Sequence, residues 1–278
     1  MGRCIVPEAE DILDVEFPVL DKGFVRLVDY MGSDQRIVQA ARVSYGAGTK
    51  TRRQDAGLID YLLRNDHTSP FEQVVFTFHA KMPIFVARQW VRHRTARLNE
   101  ISGRYSVMPD EFYVPEAADV AEQSRDNKQG RKTEPMEASA ADSVRRAIEA
   151  VHEQAYAGYQ SLLDEGTARE LARIVLPLSL YTEWYWQIDL HNLFRFLRLR
   201  LDPHAQREIR AYAAMMRDLA ARVCPLAFES FERHLAGGVR FSDEEMAALR
   251  NMLNGEDSGL EGKAAERFET KLAEGRQI

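Results

Sequence analysis

The densest run of chemistry-bearing residues lies between Arg88 and Arg104. There Arg88, Arg92, Arg94, Arg97 and Arg104 place five guanidinium groups within 17 residues of a chain whose formal net charge is −6. Arg88 and Arg92, four apart, would share a helix face, where like charges repel unless an anion relieves them. A guanidinium donates two parallel hydrogen bonds and keeps its charge, which suits phosphate. The alternative is a solvated basic face with no ligand. His93 stands between two arginines, so its protonated form is disfavoured, and a neutral imidazole could stack on or hydrogen-bond to a ring. Asn99 to Tyr105 then offers an amide, a carboxylate, a hydroxyl and a guanidinium, with Gly103 allowing close backbone approach. That set suits a phosphorylated heterocycle, or is an ordinary turn. His191 and Arg195, also four apart, could share a ligand from one helix or form a solvated pair.

These residues need elements to hold them. Phe24–Tyr30 reads as a strand, and Ser33 can cap a helix to about Val43. A polar loop covers 46–55, and a short helix carries Leu58, Ile59, Leu62 and Leu63. Ser69, Pro70 and Glu72 have a capping-box pattern, although Val74–Ala80 looks like a strand. Pro83 opens a helix from Ile84 to about Thr95, and 98–115 is irregular with short strand character. Val144, Ile148, Val151, Ala155, Tyr159 and Leu162 mark an amphipathic helix that Gly166 ends. Thr167 and Glu170 form a second capping box before Pro177. Leu190–Leu201 is helical, and Asp202-Pro203 starts a helix with Ile209, Met216, Leu219 and Val223 inside. The expected domain is 20–242, with a loose extension at 1–19, an exposed mobile insertion at 118–142, and a charged, marginally helical tail at 243–278. Strands interspersed with helices indicate one mixed α/β domain.

Composition removes several classes. The 45% apolar and 29% charged residues fit a globular chain with a real core. The acidic balance disfavours a general nucleic-acid binder. Cys4 and Cys224 form no CxxC pair, there is no HExxH, and the histidines lack ligand spacing, so no metal is expected. No stretch is long and apolar enough for a membrane span or a signal segment, and a reducing cytoplasm is the expected location.

Arg92-His93-Arg94, seven residues, then Ser102, within RHRTARLNEISGRYS, resembles the signature of the flavin-dependent thymidylate synthases. AARVSYG near Ser44, HTSPFEQVVFTFHAKMPIFVARQW, ARIVLPLSLYTEWYW and FLRLRLDPHAQREIR are also similar to that family, so the resemblance runs from about Leu20 to about Glu232. It implies a mixed α/β (α+β type) fold with a short, mainly antiparallel sheet surrounded by helices. It also implies a homotetramer with active sites where subunits meet. The implied activity is reductive methylation of dUMP to dTMP, with FAD, NADPH and a folate, methylene-tetrahydrofolate. By the match, Arg92, His93, Arg94, Glu100, Asp189, Leu190, His191 and Arg195 would contact FAD. Ser69 would reach FAD from a neighbouring subunit, His67 would lie near the flavin, and Ser44 resembles a flavin-side residue. Gln89, Trp90, Val91, Arg92, Glu100, Ile101, Ser102, Gly103, Arg104, Arg173 and Arg200 fall at dUMP positions. Bland alternatives exist: Arg173 paired with Glu170, Trp90 and Val91 serving as core, Leu190 contributing backbone only.

Arg200 matches the residue given the sharpest chemical role in the family. Methylation at carbon five needs an electron-rich uracil, and neither cysteine lies in a motif suited to thiolate addition. A fixed cation beside the ring can instead favour ionisation at N3. The sequence departs from many relatives at Arg97, Leu98, Asp189 and Arg195. The insertion at 118–142 and the tail after 243 have no evident counterpart.

Overall fold

The computed structural model describes residues 5–44, 52–125 and 129–274. The elements in chain order are α1 (Pro7–Glu10), β1 (Glu16–Val19), β2 (Gly23–Met31), α2 (Asp34–Ala41), α3 (Arg52–Arg64), β3 (Val75–Pro83), α4 (Ile84–Trp90) and β4 (Arg97–Glu100). They continue with α5 (Ala138–Asp164), α6 (Arg169–Ala172), β5 (Tyr181–Asp189), α7 (Leu190–Arg200), α8 (Arg207–Val223), α9 (Pro225–Phe231), α10 (Asp243–Leu253) and α11 (Gly262–Glu274). The five strands form one open antiparallel sheet in the order β1-β2-β3-β5-β4. This is a mixed α/β domain, as the sequence indicates.

The sheet is two-faced because β3 and β5 alternate over most of their length. Phe76, Phe78, Ala80, Trp184, Trp186 and Ile188 are buried against Phe196, Tyr212 and Met216 from α7 and α8. Successive side chains of a strand point to opposite faces, so the residues between them form the polar side. There Arg26 bonds His79 Nδ1 at 2.9 Å, His79 Nε2 lies 3.1 Å from Glu183, and Tyr185 stacks on His79.

Several sequence expectations change. The segment before residue 20 is built in, with Ala9 and Ile12 buried, β1 paired to β2, and the Tyr30 hydroxyl bonded to Val6 N and Glu10. The helix opened by Pro83 stops at Trp90, because His93 N turns back to the Trp90 carbonyl and the chain becomes edge strand β4. Strand β5 was not read from the sequence. The Asp202-Pro203 pair makes a turn in which Asp202 accepts from His204 N, and α8 starts four residues later. Neither expected capping box forms: the Thr68 carbonyl accepts from Phe71 and Glu72, and α6 begins with no side-chain cap. Of the polar loop at 46–55, residues 46–51 lie outside those described; α3 begins at Arg52.

The segment 118–142 is tied to the body among its described residues. Val120 is buried and accepts from Met136 N, Arg131 bonds buried Glu208 at 2.9 Å, and Asp119 pairs with Arg207. Its last residues belong to α5. The expected charged tail folds as α10 and α11, with Ala248, Phe268 and Lys271 buried.

Candidate active site

A cleft of about 380 Å³ opens between the end of α3 and the outer face of α7. Its lining includes His67 and Thr68 from the turn after α3, His191, Arg195 and Arg198 from α7, and Arg240 beyond α9. The turn is a Schellman motif: His67 N donates to the Leu62 carbonyl at 2.9 Å and Asp66 N to Leu63 at 3.2 Å. Asp66 takes the left-handed conformation this requires, with φ of 54°. The motif spends the orphan carbonyls of α3 and aims His67 at the cleft. Helical periodicity brings His191, Arg195 and Arg198 to one side of α7, while Leu193, Phe194, Phe196 and Leu197 are buried on the other. Asp189 caps this helix, accepting from Asn192 N at 2.9 Å. Two imidazoles and three guanidiniums outnumber the one carboxylate, Asp66, around this opening, a set that suits an anion such as a diphosphate.

A second group gathers around Arg200, the last residue of α7. Arg200 donates from Nε to His93 Nε2 and from Nη2 to the Gln89 carbonyl, both at 3.0 Å. Because Nε2 accepts, the His93 proton belongs on Nδ1. Burial, then the charges of Arg200 and Arg195, lower the His93 pKa to about 4, so the ring is neutral near pH 7. Arg200 itself is half-buried, and burial lowers its pKa from the ordinary value. The turn carrying His93 is tied to α7 by Thr95 Oγ1 donating to Asn192 at 2.8 Å.

The residues expected at dUMP from Glu100 to Arg104 lie at the end of β4 and in the turn after it. Ile101 N donates to the Glu183 carbonyl at 2.9 Å, Thr182 Oγ1 donates to Glu100 at 2.6 Å, and the Ser102 carbonyl accepts from Tyr105 N at 3.1 Å. An added Cβ on buried Gly103 would lie 2.9 Å from Met108 Sδ and 3.2 Å from Arg173 Cδ, so glycine brings Arg173 against this loop. Arg104, not Arg173, pairs with Glu170, at 3.4 Å. Arg92, Arg94, Arg104 and Arg173 are exposed.

The structure separates other expected residues. Arg92 lies beyond the end of α4, so it does not share a helix face with Arg88. Trp90 is fully buried among Trp184, Trp186, Phe196 and Tyr212, and its side chain is core; neighbouring Val91 is 42% exposed. Leu190 is buried and its N–H donates to the Val74 carbonyl at 2.8 Å. Ser69 lines a different hollow, with Arg36, Gln39 and Val43. Ser44 ends a 3-10 turn, and its side chain lies outside those described. Arg97 reaches Gln187 on β5 at 3.3 Å. Sequence reasoning missed Thr68, Arg198 and Arg240. The spacing of Arg198 from Arg195 and His191, three and seven, was a legible signal; Arg240 carried none.

Solved structures and sequence relatives share this fold over most of its length. A UMP/dUMP methylase from Streptomyces cacaoi, solved with 5-Br UMP, superposes with a TM-score of 0.71 at 35% identity, covering 78% of this chain and 97% of its own. The same enzyme solved with 5-Br dUMP gives 0.72 at 34%. Residues 26–226 match the family described as thymidylate synthase complementing protein, and 239–278 match the thymidylate synthase ThyX C-terminal domain. The flavin-dependent thymidylate synthase of Treponema denticola is 66% identical, covering 96% of this chain and all of its own. That of Thermus thermophilus is 58% identical, covering 86% of each. The chain belongs to the flavin-dependent thymidylate synthase family. The region after 243, expected to lack a counterpart, therefore has one.

Proposed function

We propose that the protein methylates dUMP to dTMP, taking the carbon from methylene-tetrahydrofolate, with FAD as cofactor reduced by NADPH. When bound and reduced, FAD would supply the hydride that completes the methyl group, so the folate would leave as tetrahydrofolate. The supporting feature for FAD is the donor set of the α3–α7 cleft: His67, His191, Arg195 and Arg198 would hold its phosphates. Arg92, Arg94, Glu100, Asp189 and Leu190 would contribute from the family match, and Ser69 from a neighbouring subunit of a homotetramer. Gln89, Ile101 to Arg104 and Arg173 would hold dUMP, Trp90 and Val91 serving through backbone.

The observation that carries the reading is the clamp on Arg200. Two hydrogen bonds, to His93 and to the Gln89 carbonyl, fix the plane of its guanidinium. Neutral His93 accepts without adding a competing charge, so the cation is available to a pyrimidine. A fixed cation stabilises the N3 anion and enriches carbon five in electrons. Thiolate activation finds no support in Cys224, whose side chain is fully buried. A cytoplasmic location is proposed from the two isolated cysteines.

Tritium release from [5-³H]dUMP tests the reading. With FAD, NADPH and methylene-tetrahydrofolate all present, the wild-type protein releases tritium and forms dTMP. Absence of release under those conditions rejects thymidylate synthesis.

A further inference from the structure

The solved methylases are covered almost completely by this chain, yet about a fifth of this chain lies outside the match. The separately matched C-terminal region, 239–278, has no role in the chemistry described above. Its first residues nevertheless reach the cofactor cleft.

The route is determined locally. His234 and Arg233, on the π-helical turn Glu232–Ala236, both bond Asp60 of α3, at 2.8 and 2.9 Å. The chain then leaves through Gly238, where an added Cβ would lie 2.2 Å from the His234 carbonyl. Leu235 and Arg240 thereby arrive at the cleft opposite α7. Behind Arg240 stands a network. Lys271 of α11, only 9% exposed, donates to both Glu245 oxygens at 2.6 and 2.7 Å and to the Arg240 carbonyl at 3.1 Å. Glu245 also closes the capping box at Ser242 that starts α10. Phe241 packs edge-on against buried Phe268, with Lys271 over its ring.

The main chain at Arg240 is thus pinned while its side chain stays available. Arg240 lies 3.9 Å from Asp66, and the two side chains are 60% and 75% exposed. An exposed pair at that distance is weak. A diphosphate offers the same guanidinium a shorter, bidentate contact.

We propose that Arg240 is a further anion-binding residue of the cofactor cleft, and that the Lys271–Glu245 pair of the C-terminal helices is its positioning device. This rests on the reading that the cleft binds FAD. The C-terminal region then extends the phosphate site of the core domain by one cation, and FAD retention depends on that region being folded.

Flavin fluorescence titration of the full-length apoprotein is the test. Arg240→Ala is expected to weaken FAD binding roughly tenfold, the scale of one lost charge-assisted contact. Riboflavin, which lacks phosphates, should bind both proteins equally. The slope of log Kd against log salt should be shallower in Arg240→Ala, because one cation no longer meets the phosphates. Arg250→Ala, removing an exposed charge from α10, should match the wild type. Lys271→Met should weaken FAD binding, and Arg240→Ala added to it should cost less than alone. If Lys271→Met loses the α10–α11 fold by circular dichroism, the salt slope of Arg240→Ala still decides. A folded Arg240→Ala protein with wild-type FAD affinity and salt slope overturns the proposal, as does an equal loss of riboflavin. Wild-type protein that binds no FAD would instead defeat the functional reading on which this rests.

Discussion

The α3–α7 cleft and the Arg200 clamp share one helix and solve different problems. The cleft collects exposed cations around an opening, with His67 set by a Schellman turn and the guanidiniums of Arg195 and Arg198 turned outward. The clamp holds one half-buried guanidinium rigidly between a neutral imidazole and a carbonyl. The contrast teaches that cation count and cation placement are separable. Binding a polyanion calls for several adaptable charges, whereas polarising one ring calls for a single charge whose direction is fixed. Arg195 links the two regions, since it lines the cleft and its charge also lowers the His93 pKa.

The contrast can be tested by four measurements, taken from the largest expected effect downward. Arg200→Ala should lower tritium release about 10²- to 10³-fold, the scale of losing one oriented electrostatic contact, while flavin absorbance is retained. Full turnover would refute the clamp's role, and loss of flavin would merge the two regions into one. Arg195→Ala should act on both regions, weakening FAD binding about tenfold and raising the His93 titration midpoint in an NMR pH series. An unchanged midpoint would show that the regions are electrostatically independent.

Asp189→Ala should cost about 1 kcal/mol of stability through loss of the α7 cap, whereas Asp189→Asn should cost much less, because the amide oxygen still accepts. Equal urea midpoints for the two variants would deny the capping role. The smallest effect concerns pH. The His93 pKa is about 4 when folded, below its ordinary 6.5, so the unfolded chain takes up this proton first as pH falls. Its contribution to stability is complete above about pH 6.5 and is lost as pH falls toward 4. His93→Gln, which keeps an acceptor for Arg200 but cannot titrate, should show a flatter decline of Tm through that window. A decline identical to wild type would mean that His93 is not held neutral.

Much was legible beforehand because local rules governed it. The alternation of β3, the helical extent of α5, the Gly166 stop and the i, i+4 pairing of His191 with Arg195 depend only on strand and helix periods, although Val144 and Val151 of the apolar stripe on α5 are exposed and Ala141, His152 and Tyr159 are its buried residues. The signature around Arg92 to Ser102 was likewise visible as residue type and order. Other local signals misled. Ser69 with Glu72 and Thr167 with Glu170 had the right spacing for capping boxes, but neighbouring carbonyls and tertiary packing set those turns. Pro203 promised a helix start that Asp202 diverted into a turn.

What the sequence determined by itself, then, was the inventory: which residues could bind phosphate, which faces were apolar, and which family the motifs resemble. Only the tertiary structure decided that Trp90 is core, that α4 ends before Arg92, and that Glu170 takes Arg104 and leaves Arg173 against Gly103. It alone brought Arg240, more than 170 positions along the chain from His67 in sequence number, to the same cleft. The physical reason is range. Hydrogen-bond periodicity acts over a few residues and is written in the sequence, whereas a shared opening between α3, α7 and the segment leading into α10 exists only after folding has brought distant segments together.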